Sequence, residues 1–177
     1  MFRRLKTFFQ DCKGRNISSQ PKEMERGSNY MLRGSQFLET DQAFEAWTTQ
    51  DIDKMKQALH PETNPVDRHF LLMGIVDQTY KDRKNNEDAR SFCAEISEKH
   101  IEEFSSLKPV LVESLGGILP RVPTFQKYAT LLTEQGNFSR AIEVCELAIS
   151  HGLHDGTKAG FEGRIARIRK EAKATDA

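Results

Sequence analysis

The stretch from Val122 to Leu153 constrains the fold more than any other part of this chain. From Pro123 to Gln135, Phe125, Tyr128, Ala129 and Leu132 recur at helical spacing, which puts them on one face of a helix. Gly136-Asn137 makes a tight turn, and Phe138 to Ser150 forms a second amphipathic helix. Helices joined by so short a connection pack antiparallel. Ala141 and Ala148 sit seven residues apart on the second helix. Small residues there let the backbones approach, while large side chains fill the groove between neighbouring hairpins.

Upstream, other segments carry helical signals. Phe44, Trp47, Ile52, Met55 and Leu59 are the apolar positions of one or two short helices between Phe37 and Leu59, with Asp51 as an N-cap; Pro61 stops the pattern. Asn64-Pro65 reads as a helix start, a capping residue followed by proline in the first turn. The run Phe70, Leu71, Leu72, Met73, Ile75, Val76 and Tyr80 is apolar on most sides, so this helix should sit centrally. After a break at Lys81 to Asn86, a helix from about Glu87 to Phe104 presents Ala89, Phe92, Cys93, Ile96, Ile101 and Phe104. Ser106 to Leu115 reads as a separate short helix with Pro109 in its first turn, ended by Gly116-Gly117. A last helix, about Thr157 to Lys173, carries Phe161, Ile165, Ile168 and Ala172 on one face, with Asp155-Gly156-Thr157 offering its N-cap. No segment reads as a strand. The expected organisation is a basic amphipathic start and linker over residues 1–36, then an all-α domain over 37–177.

The Val122–Leu153 hairpin resembles one tetratricopeptide (TPR) repeat. Phe125, Tyr128, Ala129 and Leu132 stand at the first-helix positions of that pattern, and Ala141 and Ala148 at its two alanines. Cys145 and Leu153 depart from it, standing where an aromatic and a proline are common. A looser copy lies upstream: Phe70, Met73 and Gly74 match the first helix, and Ala89, Cys93 and Ile96 the second. There Asp77 replaces a large residue, and the turn carries extra residues at Lys84-Asn85-Asn86. The resemblance implies antiparallel helical hairpins stacked as a short solenoid, with the last helix as a cap. It also implies a protein–protein interaction module rather than an enzyme. First helices line the groove of such arrays, so the implied partner-binding residues are Arg68, Leu71, Ile75 and Gln78 from the loose repeat. Gln126, Thr130, Thr133 and Glu134 come from the good one. The family's clamp for acidic C-terminal peptides uses Lys and Asn at positions that hold Leu71, Ile75, Gln126 and Thr130 here, which does not support that ligand. A short amphipathic helix or an extended apolar peptide fits the groove better; the alternative is that these residues contact another part of this same chain, such as its N-terminal helix.

Composition narrows the function classes. With Lys plus Arg equal to Asp plus Glu at 26 each, no global field draws the chain to nucleic acid or anionic membrane. The six cations Lys158, Arg164, Arg167, Arg169, Lys170 and Lys173 of the last helix are interleaved with Glu162 and Glu171 and read as a solvated face. Near the start, Arg3, Arg4, Lys6, Lys13 and Arg15 surround Phe2, Leu5, Phe8 and Phe9. Residues 1–13 are thus a candidate for weak contact with a membrane surface, for a docking arm, or for a terminus with no role. Membrane targeting through this segment is the alternative to the groove reading.

Three widely separated cysteines, Cys12, Cys93 and Cys145, suit a reducing compartment rather than a disulfide framework, and a cytoplasmic location is expected. No apolar run reaches the roughly 18 residues of a membrane span, and charges interrupt the N-terminus where a secretory signal would be apolar. Cys93 and Cys145 occupy equivalent second-helix positions and read as small core residues. The histidines, His60, His69, His100, His151 and His154, show no ligand spacing, and no nucleophile, phosphate-binding or metalloprotease motif is present. No catalytic residue, metal or cofactor is expected.

Overall fold

The computed structural model describes residues 30–33 and 36–175. The expected basic start, residues 1–13, and most of the expected linker lie outside them. The described part of the linker is not featureless. A two-stranded antiparallel hairpin pairs β1 (Tyr30–Arg33) with β2 (Gln36–Glu39), with Tyr30 opposite Glu39 and Arg33 opposite Gln36. It crosses the expected domain boundary at 36/37, and it corrects the expectation of no strand. Four-residue strands are too short to show a convincing alternation, so nothing but their pairing identifies them.

Seven helices follow among the described residues: α1 (Gln42–Thr49), α2 (Ile52–Gln57), α3 (Pro65–Asp82), α4 (Glu87–Ser114), α5 (Pro123–Glu134), α6 (Phe138–Ser150) and α7 (Gly160–Thr175). The fold is all-α apart from the hairpin.

The helix starts follow the capping chemistry in the sequence. Asp51 Oδ1 accepts from the Asp53 and Lys54 amides at 3.0 and 3.2 Å. Asn64 caps α3 through the Val66 amide at 2.9 Å, with Pro65 in the first turn. Asn86 caps α4 through Ala89 and Asn137 caps α6 through Arg140. Asp41 does two jobs: Oδ1 accepts from the Phe44 amide at the start of α1, and Oδ2 from the Asn64 amide at 2.7 Å, fixing α1 to the entry of α3. The turn between α5 and α6 closes as expected. Gly136 takes φ +76, and the Asn137 amide donates to Leu132 O at 2.8 Å, the bonding that ends a helix in a left-handed residue.

Pro109 lies inside a single 28-residue helix rather than in the first turn of a second one. A proline there removes a backbone bond and crowds the preceding turn. Burial of Leu107 and Leu111 on either side, with Pro109 itself exposed, keeps the helix running. The last helix starts at Gly160, later than expected. Asp155 caps the preceding turn instead, accepting from the Thr157 amide at 2.9 Å and the Thr157 hydroxyl at 2.7 Å.

The packing order is regular. α3 packs on both α1 and α2, α5 packs on both α3 and α4, and α7 covers α6. A continuous core threads these layers from Ala43, Ala46 and Met55 through Phe104 and Phe125 to Phe161, Ile165 and Ile168. Ala141, Cys145 and Ala148 are fully buried along α6, where small side chains permit close approach.

Candidate partner-binding groove

Between α1 and α3 runs a cleft of about 320 Å³. Its floor is apolar: Trp47 of α1, Met55 of α2 and Phe70 of α3. The Trp47 ring lies 4.9 Å from that of Phe70, and its indole N–H donates to Asp67 Oδ1 at 3.0 Å, which fixes the ring as a wall. Gly74 opens the middle of the cleft. A Cβ there would stand 3.1 Å from Met55 Sδ, so the missing side chain is what lets α2 close against α3. The rim is polar, with Asp77, Gln78, Lys81 and Asp82 following along α3. Gln78 Nε2 donates to Gln50 O at 2.6 Å, tying the rim to the end of α1, where Gln50 takes φ 58.

Beside the cleft, a row of ion pairs joins α3 to α5. Lys127 pairs with Asp77. Arg83 holds Glu134 with both forks, at 2.9 and 2.7 Å, and its guanidinium stacks 3.7 Å above the Tyr80 ring. The bonds from Arg83 hold the Glu134 carboxyl below its ordinary range, and the same bonds raise the Arg83 guanidinium.

The eight groove residues expected from the sequence are not all brought together. Gln78 lines the cleft and Glu134 belongs to the neighbouring ion-pair row. Leu71 and Ile75 are wholly buried and belong to the core, which corrects their assignment: α3 is covered by α1, α2, α4 and α5, so its apolar face is spent on packing. Arg68 is also committed elsewhere, bonding Glu103 of α4 through both forks at 2.9 Å and Leu59 O at 2.8 Å. Gln126 accepts from Arg121 at 2.7 Å. The Thr130 hydroxyl donates to Gln126 O at 2.9 Å and accepts from Arg164 of α7 at 3.0 Å; these two therefore belong to a different patch, beside the cap. Thr133 donates to Ala129 O within its own helix. Sequence reasoning missed Trp47 and Gly74 as groove residues. Trp47 was legible as an apolar position, but its neighbours across the cleft were not.

The residues with reactive side chains lie elsewhere, inside the core. His69 Nδ1 and His100 Nε2 share a hydrogen bond at 2.9 Å, and His100 Nδ1 and the Thr124 hydroxyl another at 2.9 Å. All three residues are fully buried, and His69 Nε2 has no protein partner. Burial, reinforced by His100, holds His69 well below the ordinary imidazole range; burial, with Arg68 adding to it, takes His100 down to about 3. Both rings are neutral at pH 7 and sealed from solvent. Burial also raises the thiols of Cys93 and Cys145, the latter to about 11, so neither is a thiolate. Among the described residues, no three His, Cys, Asp or Glu side chains converge as a metal site. On α7, Arg164 pairs with the buried Asp155 at 3.2 Å and Arg169 faces Glu146 at 3.9 Å. No helix among the described residues is long and apolar enough to cross a membrane.

No family model matches the chain, and no solved structure matches it significantly. Over 116 residues, 66% of its length, the chain is 27% identical to a protein of Aquifex aeolicus (strain VF5) that is described as an uncharacterized protein. The chain is similar to that protein over about half of the latter's length, 52%.

Proposed function

We propose that this chain is a non-catalytic protein-binding module of TPR-like construction, working in the cytoplasm, whose α1–α3 groove takes an apolar side chain from a partner peptide or helix. The observation that carries the reading is the cleft itself: an apolar floor of Trp47, Met55 and Phe70 under a polar rim, where α1, α2 and α3 meet. At about 320 Å³ it is at the small end of the roughly 300–1,000 Å³ typical of ligand pockets, which suits one large side chain better than a whole small molecule. Burying such an anchor contributes about 1.5–3 kcal/mol before ordering costs. Gln78, Lys81 and Asp82 are placed to add orienting polar contacts. The stacking of each first helix on both members of the preceding pair supports the TPR-like reading, as do the fully buried Ala141 and Ala148.

Site-specific photo-crosslinking tests it. A photoreactive side chain at Lys81 on the rim is compared with one at Lys170 on α7, in host lysate. The expected result is a discrete adduct from position 81 only, lost when Trp47→Ala removes the apolar wall of the cleft in a protein whose far-UV circular dichroism is unchanged. Equal labelling from both positions, or an adduct indifferent to Trp47→Ala, rules the groove out as the binding site.

A further inference from the structure

We propose that the His69–His100–Thr124 chain is an acid-sensitive lock: it holds α3, α4 and α5 together while both imidazoles are neutral, and protonation weakens that junction in mildly acidic solution. The three groups come from three different helices and are fully buried, and their two 2.9 Å hydrogen bonds link them through His100. A neutral imidazole has one donor and one acceptor, and His100 uses both, one toward Thr124 and one toward His69. A first proton makes His100 a donor on both sides, which His69 Nδ1 and the Thr124 oxygen can still accept. That cation would have no free carboxylate beside it. Arg68, next to His69 on α3, opposes the new charge, and Glu103 of α4 is already engaged by Arg68. Asp67 of α3 accepts from Trp47 of α1, α5 presents the neutral Thr124 hydroxyl, and at the end of α6 His151 meets Phe104, with Lys108 donating to the His151 carbonyl. A second proton would set the N–H of one ring against the N–H of the other. His69 Nε2 has no protein partner through which the pair could shed the clash.

The sign follows from the two states. In the open chain each histidine binds a proton near its ordinary pKa of roughly 6.5; in the closed core neither does until far lower pH. The stability the lock contributes is therefore complete above about pH 6.5 and is lost as pH falls below it. Two protons taken up on opening raise the open-to-closed ratio by as much as ~100-fold per pH unit. This begins before ordinary carboxylates, with pKa values of about 4, start to titrate. The lock stands independently of what the groove binds.

The test uses the full chain, with its one tryptophan as reporter. Trp47 packs on Phe70, the neighbour of His69 in the chain. Urea unfolding is followed by Trp47 fluorescence between pH 7.5 and 5, for the wild type and for the His69→Gln/His100→Gln double variant. The lock requires the unfolding constant of the wild type to climb steeply below pH 6.5, by at least tenfold per unit, and most of that slope to vanish in the double variant. A wild-type change below about threefold between pH 7 and 5.5, or a double variant with the wild-type slope, overturns it. Should the double variant not fold, ¹⁵N chemical shifts of the wild-type histidine rings decide. Two buried rings that remain neutral down to the pH of opening support the lock; either ring titrating near 6.5 in the folded protein overturns it.

Discussion

Replacing Phe104 with alanine should remove the best-connected ring in the core. Phe104 is fully buried, and its ring lies 5.3 Å from Phe125, 5.1 Å from His151 and 6.1–6.2 Å from His100 and His69. It thus joins α3, α4, α5 and the end of α6. A buried aromatic hides roughly 150–250 Å², and at about 25 cal/mol per Å² the ceiling is about 4–6 kcal/mol. The alanine methyl keeps part of that, and the unfolded chain is not fully exposed to begin with. Phe→Ala losses of about 3–5 kcal/mol are typical where the surroundings collapse only partly. The expected loss is therefore about 4 kcal/mol, a large share of the ~5–15 kcal/mol that stabilises a domain. In urea, with a slope of about 2 kcal/mol/M, the midpoint should fall by roughly 2 M while the slope stays the same. Trp47 fluorescence and far-UV circular dichroism should move together, because the ring ties the α1–α3 side to the α5–α6 side. A loss under about 1.5 kcal/mol, or fluorescence and dichroism transitions that separate, would refute the claim that this ring unites the layers.

Smaller perturbations check other contacts. A double-mutant cycle on Arg83→Ala and Glu134→Ala should return a coupling of about 0.5–1 kcal/mol that shrinks in high salt, since the pair is bidentate but partly exposed; no coupling means the α3–α5 wall is not held there. Asn86→Ala should cost about 1 kcal/mol in urea unfolding through loss of the α4 cap, and an unchanged midpoint would contradict the bond to the Ala89 amide. Pro109→Ala should stabilise the chain by about 1 kcal/mol or more, because it restores an N–H inside the C-terminal part of α4; destabilisation would show that the proline's shape is needed for the packing of Leu107 and Leu111. In a Cys12→Ser background, iodoacetamide at pH 8 should label Cys93 and Cys145 only as fast as the core opens, and labelling at the rate of a free thiol would contradict their burial.

Where sequence reading succeeded and failed has a common cause. The helix starts at Asp51 and Asn64 were legible because a capping side chain bonds an amide two or three residues away. The burial of Ala141 and Ala148 was legible because both sit on one face of a helix that the seven-residue spacing already defines. Leu71 and Ile75 were misplaced because an all-round apolar helix does not say which side is left for a partner. Pro109 was misplaced because local propensity favours a helix start there, and only burial of the flanking leucines overrides it.

By itself, then, the sequence determined the helical class, most helix starts, the Gly136-Asn137 turn and the apolar stripes, all interactions that reach no further than about one helical turn. The tertiary structure alone decided that His69 meets His100 across 31 residues, that Asp77 meets Lys127 across 50, and that Trp47, Met55, Phe70 and Gly74 enclose one cleft. Such contacts depend on how the helices dock. Docking is set by apolar burial summed over the whole chain, which no local pattern records.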